Sequence, residues 1–224
     1  VKFLRNNALS LFFLAIFVAA IIGQSIAGWF DQNEQLTMHG EAPVAFLQFV
    51  TSSDFVVDVA ENWQSEFLQF FLFIAATIWL VQKGSPESKK PGEQGVESDE
   101  EQYVGQYAVA DSPTWAKVGG FRGWLYANSL LLVMGVIFLL SWLGQSVAGT
   151  VVANEEQAEH GLPAMTWGDY VVSPDFWNRT LQNWQSEFLA VGCMVAFSIY
   201  LRQRGSSESK EVGAPHHAGS MAAE

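Results

Sequence analysis

A chain of 224 residues that is 50% hydrophobic and only 15% charged has the composition of a membrane protein, and nine Trp and 17 Phe fit the aromatic enrichment of membrane interfaces. A formal charge of −12 excludes nucleic acid as a partner, because a phosphate backbone needs Lys/Arg neutralisation. One cysteine, Cys193, excludes an internal disulfide and a thiolate metal cluster, and its apolar surroundings read as those of an inert buried thiol.

The opening valine is compatible with a GTG start read literally or with a processed N-terminus, and points to a bacterial source. Lys2 and Arg5 then lead into an apolar run, Leu9 to Ala27, long enough to fill a bilayer core, which takes about 20 helical residues. Ser25-Ile26-Ala27 before Gly28 would also pass for a signal-peptide cleavage site. The same layout recurs mid-chain at 125–149, where no signal peptide stands, so a retained span over about 8–27 is expected. A loop of about 35 residues follows, and Pro43 opens an aromatic segment in it. Phe46 and Phe49 lie three apart on one helical face, as expected of a short helix lying in the membrane interface. Ser52 is the expected N-cap of the next helix, which passes through NWQSEF at 62–67 into the apolar run Phe67–Val81. That run must recruit its polar-aromatic lead to span the bilayer, over about 63–83.

Residues 1–89 thus read as a first helical hairpin, and 90–120, rich in Gly, Ser, Pro and acid, as a flexible acidic linker. Residues 121–210 repeat the first unit, with spans over about 128–148 and 184–204, and 211–224 read as a disordered tail. Shifted by 121 residues, Leu4–Lys89 aligns on Leu125–Lys210 without a gap, and about 35 of those 86 positions are identical. GQSIAG (23–28) meets GQSVAG (144–149), His39-Gly40 meets His160-Gly161, and NWQSEFL (62–68) recurs at 183–189. In the second loop Trp167 and Tyr170 take the places of Phe46 and Phe49, and Ser173-Pro174 gives an N-cap followed by Pro at the first helical position. Helices running from these caps to residues 83 and 204 would be about 45 Å long and must project, tilt, or bend near Asn62 and Asn183. The expected fold is an all-α integral membrane protein of four transmembrane helices, arranged as two parallel-repeat hairpins with short interfacial helices in the external loops.

Ten of the eleven basic residues flank the N-terminus, the linker and the tail; Arg179 alone lies in an inter-helix loop. The positive-inside rule then puts both termini and the linker in the cytoplasm of a bacterial inner membrane, with both loops outside. The bilayer is one expected partner, and other membrane subunits or self-association are the others.

Within NWQSEF, Trp63 and Trp184 are expected as interface anchors, together with Phe46, Phe49, Trp167 and Tyr170. Glu66 and Glu187 lie one residue inside the apolar boundary, where a charge needs a partner, water or a proton. Gln24 and Ser25, with Gln145 and Ser146, end the preceding antiparallel helix at the same depth. A polar clasp is therefore expected, Gln24/Ser25 to Asn62/Glu66 and Gln145/Ser146 to Asn183/Glu187. A carboxylate pair in a proton or cation path, or carboxylates facing another subunit, are the alternatives. No span carries a mid-membrane ionisable residue, and Gln69, the deepest polar group, meets Ala190 in register. His39, His160, Glu34 and Glu155 are the candidates for a divalent metal, but their spacing is not diagnostic and neither metal nor cofactor is expected. Nucleophile elbow, P-loop, HExxH and CxxCH are all missing, so no enzyme activity is expected, and a scaffold or accessory subunit is the leading reading.

RNNALS before the first span, GQSIAG at its end, NWQSEFLQ leading into the second and KGSPESK leaving it resemble an uncharacterised bacterial tandem-repeat membrane-protein family, known as a domain of unknown function. Tyr126-Ala127 replaces Arg5-Asn6 in the second copy. The resemblance implies membrane topology and no catalytic residue.

Overall fold

The computed structural model describes residues 2–219. Among them every regular element is helical: α1 (Lys2–Asn6), α2 (Ala8–Met38), α3 (Phe46–Val50), α4 (Ser53–Trp79), α5 (Gly120–Ala127), α6 (Ser129–Glu159), α7 (Trp167–Val171) and α8 (Pro174–Tyr200). The 121-residue offset carries α2 onto α6, α3 onto α7 and α4 onto α8, with lengths of 31, 5 and 27 residues in both copies. Two of these helices, α2 and α6, are long and apolar enough to cross a membrane.

Helix ends follow from local chemistry. Asn7 and Asn128 break α1 from α2 and α5 from α6, each amide bonding the carbonyl four residues back, at Phe3 and Trp124 (both 2.8 Å). Ser52 and Ser173 cap α4 and α8 as expected, their hydroxyls accepting the N–H of Phe55 and Phe176. α2 does not stop where its hydrophobicity does. It continues from Ala27 to Met38, so only residues 39–52 separate it from α4, far fewer than the expected loop. The stretch from Trp29 to Met38 is polar but holds no Pro or Gly, so nothing breaks the helix before Gly40. Gly40 (φ 79°) and Gly161 (φ 67°) adopt the left-handed conformation that ends a helix. Glu41 N–H then bonds the Leu36 carbonyl (2.8 Å), and Leu162 that of Gln157 (2.9 Å). His-Gly therefore closes the main helix in each repeat.

α4 and α8 run unbroken through Asn62 and Asn183 but end at Trp79 and Tyr200, short of the expected 83 and 204. The repeated Gln-X-Gly-Ser-X-Glu-Ser string ends them: Gln82 N–H donates to Ser88 Oγ (2.7 Å) and Gln203 N–H to Ser209 Oγ (2.9 Å).

The linker and tail, expected to lack structure, form turns. Lys89 Nζ pairs with Glu97 (2.5 Å) and donates to the Gly95 carbonyl, while Gly95 N–H bonds the Ile78 carbonyl (2.7 Å). Its register partner Lys210 is buried, donating to the carbonyls of Gly84 (2.6 Å) and Ala218 (2.8 Å). Burial, helped by Arg202, holds the Lys210 ammonium below its ordinary pKa. The carbonyls around a desolvated cation are what organise the tail up to residue 219; the last tail residues, 220–224, lie outside the described ones.

The chain forms two compact units, one from residues up to Ala60 with Gly144–Phe176, the other from Glu61–Leu143 with the chain from Trp177 on. In the first unit, Phe49 packs on Gly28 and Phe55, and Tyr170 on Gly149 and Phe176. In the second, Trp142 gathers Phe138, Trp177 and Trp184 at centroid distances of 5.6, 6.0 and 6.1 Å.

Candidate functional site

In the second unit the two NWQSEF copies meet, along the seam of α4 and α8. Trp184 Nε1 donates to Gln64 Oε1 (2.8 Å), and Gln64 Nε2 donates to the Glu61 carbonyl (3.1 Å), so a fully buried amide is satisfied at both ends. Arg179, expected in the external loop but carried by α8, pairs with Glu61 at 3.4 Å; both side chains are partly exposed, which keeps the pair's contribution below about 1 kcal/mol. Glu66, which is exposed, and its register partner Glu187 stand one on each helix of this seam.

Toward the far end of the helices lies a cavity of about 310 Å³, lined by Gln69, Phe70, Phe73, Ala190, Val191 and Met194, with Glu87 and Glu208 at its margin. Glu87 and Glu208 are again register partners. Burial first, and then the Glu208 charge, raise the Glu87 carboxyl above its ordinary pKa. Ser85 and Ser198 hydroxyls close this end at 3.1 Å. This end of the seam thus carries two glutamates, Glu87 and Glu208, on the same cavity as the Gln69 amide. Glu87 and Glu208 escaped sequence reasoning because they sit in a hydrophilic turn; the available signal was that both stand in the repeated string.

The expected clasp residues make other bonds. Ser25 Oγ donates to its own helix at Ile21 (2.7 Å), and Asn183 Nδ2 to Arg179 (3.0 Å). Ser146 Oγ accepts from Trp167 Nε1 (3.0 Å). Gln24, Asn62 and Glu66 are exposed. Gln145 is fully buried, yet neither amide atom has a hydrogen-bond partner among the described residues.

The expected anchors divide. Phe46, Trp63 and Trp167 keep exposed faces, as interface residues would. Phe49 and Tyr170 turn inward and are buried, because Gly28 and Gly149 open a gap that a ring fills. Trp184 is half-buried and donates to Gln64.

His39 and His160 bond helix carbonyls with Nδ1, at Gln35 (2.9 Å) and Glu156 (2.8 Å), while Glu34 and Glu155 are exposed. No three His, Cys, Asp or Glu side chains gather in a metal-binding group among the described residues.

Asn33 and Asn154, beside those Glu residues, latch the external loops. Asn33 Oδ1 accepts from Val44 N–H (2.7 Å) and its Nδ2 donates to the Val44 carbonyl (3.2 Å); Asn154 does the same to Met165 (2.8 and 3.1 Å). Each pair of bonds is worth about 1–3 kcal/mol in total. The double variant Asn33→Ala/Asn154→Ala is expected to melt at a lower temperature and to be cut by added protease within residues 39–52 and 160–173, with α2 and α6 still intact.

A family model described as a domain of unknown function (DUF6766) matches residues 1–221. No curated protein and no solved structure matches the chain.

Proposed function

The chain belongs to that family, which assigns it no activity, and from this premise we propose that it is a non-enzymatic multi-pass protein of a bacterial inner membrane, serving as a scaffold or accessory subunit. In this reading α2, α4, α6 and α8 are the four spans of two parallel-repeat hairpins, α3 and α7 lie at the outer interface, and both termini and the linker are cytoplasmic. The observation that carries it is α2: 31 residues, mostly apolar, with no buried residue along its length. Such a helix in water would leave a large uncovered apolar surface, so lipid and protein partners are its natural surroundings. Impermeant maleimide applied to intact cells tests the topology. Single cysteines placed at Ala45 or Thr166, in a Cys193→Ser background, are expected to label, and those at Gly95 or Gly213 only after lysis; the reverse pattern sinks it. Recovery from native membranes in mild detergent as a lone single chain would count against the scaffold role.

A second reading, a small cation or proton path, draws support from Glu87 and Glu208 on the cavity of the seam, with Glu66 and Glu187 one on each of its helices. Carboxylates near apolar depth are costly and tend to serve ion or proton movement. Liposomes holding the protein would then pass protons or cations, and the variant Glu66→Gln/Glu187→Gln would fall to background; equal flux through both ends this version.

A further inference from the structure

The contact between α4 of the first repeat and α6 of the second is made inside the chain, while its register equivalent, α2 against α8, is left open on both surfaces. In one unit the Phe71 ring of α4 lies over Gly135 of α6, where a Cβ would stand 3.0 Å from it. In the other unit Ala60 of α4 lies 3.7 Å from where a Cβ on Gly144 of α6 would be. Moved by 121 residues, these pairs become Gly192 with Leu14 and Leu181 with Gly23. None of the four is covered. Leu14 is 54% exposed and Leu181 51%, and nothing among the described residues stands within 4 Å of a Cβ at Gly23 or Gly192.

Each contact sets a glycine against a larger residue. In the closed one Phe71 and Ala60 of α4 meet Gly135 and Gly144 of α6; in the open one the register sets Leu14 of α2 against Gly192 of α8, and Leu181 of α8 against Gly23 of α2. Lipid does not call for a glycine opposite each leucine, whereas close helix contact does. The amides point the same way. Gln64 and Gln145 are fully buried, but their register partners Gln185 and Gln24 are exposed on helices read as membrane spans, where an uncovered amide is costly.

The closed contact is also one-sided: Phe71 of the first repeat lies over Gly135 of the second, whereas no described atom stands within 4 Å of a Cβ at Gly192, the register partner of Phe71. Contacts of this head-to-tail kind generate rings when the rotation closes. We propose that a second copy of this chain completes the interface: α2 of each copy docks on α8 of the other, closing a homodimer of four hairpins in a ring. Leu14 fills the space at Gly192, and Leu181 the space at Gly23. The proposal rests on the reading of α2, α4, α6 and α8 as membrane spans.

Disulfide trapping in native membranes tests it. In a Cys193→Ser background the pair Gly23→Cys/Leu181→Cys is expected to give, on oxidation, a band at twice the 24.8 kDa of one chain. Either single variant is expected to stay at one chain's mass. Native mass spectrometry in mild detergent supplies a second reading: two copies for the wild type, one for Gly192→Leu, and two again for Gly192→Leu/Leu14→Gly, which exchanges the leucine and the glycine. A single copy in the wild type, or assemblies of three or more, overturn the closed dimer. A doubled band from Gly23→Cys alone means that α2 pairs with α2 and overturns α8 as its partner. Alkaline carbonate separates the two levels: a chain retained in the membrane but single refutes the dimer alone, whereas a chain washed off refutes the membrane reading beneath it.

Discussion

Replacing Gln64 with leucine is expected to destabilise the protein by about 1–3 kcal/mol, while the same replacement at Gln145 is expected to stabilise it by a comparable amount. Both amides are fully buried, so hydration is lost to each on folding. Gln64 recovers that loss through the Trp184 indole and the Glu61 carbonyl, and its removal leaves both groups short of a partner. Gln145 recovers nothing, since both its amide atoms are unpartnered among the described residues. Leucine, close to it in volume, deletes an unsatisfied amide and puts hydrocarbon in its place. Thermal unfolding in detergent, followed by tryptophan fluorescence, reads both shifts. If Gln145→Leu falls as far as Gln64→Leu, then the Gln145 amide binds something in the native membrane, water or solute, and the variant becomes the way to find it.

Gly149→Ala is the second large effect. A Cβ there would meet Cε1 and Cζ of Tyr170 at 2.8 Å, and Tyr170 is buried, at 1% exposure. Its hydroxyl also donates to Asp175 Oδ2 (3.3 Å), so displacing the ring weakens a hydrogen bond as well as the packing on Phe176. Overpacking of this sort costs about 1–3 kcal/mol. Tyr170→Phe removes the hydroxyl that would crowd the new methyl group. The double variant Gly149→Ala/Tyr170→Phe is therefore expected to lose less than the two single losses combined. Strict additivity would mean that the ring does not rest on Gly149. Gly28→Ala, which places a Cβ 2.7 Å from Cζ of Phe49, is the matched control and is expected to cost less, because Phe49 carries no hydroxyl to displace.

Local features were legible because they depend on neighbours in the chain. The 121-residue register, the Ser52 and Ser173 caps and the aromatic turns at α3 and α7 all follow from short-range patterns. The extent of α2 was harder, since hydropathy ends at Ala27 while helix propensity persists to Met38, and the two signals report different things. The direction of Phe49 and Tyr170 was hidden for another reason. Three-residue spacing says that the pair at each site shares a face, but only Gly28 and Gly149, some twenty residues earlier, give that face a place to pack.

What the amino-acid sequence determined by itself is the repeated unit: its helices, its caps and its apolar runs. What the tertiary structure alone decided is which copy of each side chain is covered. NWQSEF is identical in the two copies, yet Gln64 and Ser65 are buried while Gln185 and Ser186 are exposed. Identical residues have identical local propensities, so the difference lies entirely in what packs against them. α4 receives Gly135 and Gly144 of α6, whereas on the corresponding face of α8 Leu181 is 51% exposed and no described atom stands within 4 Å of a Cβ at Gly192.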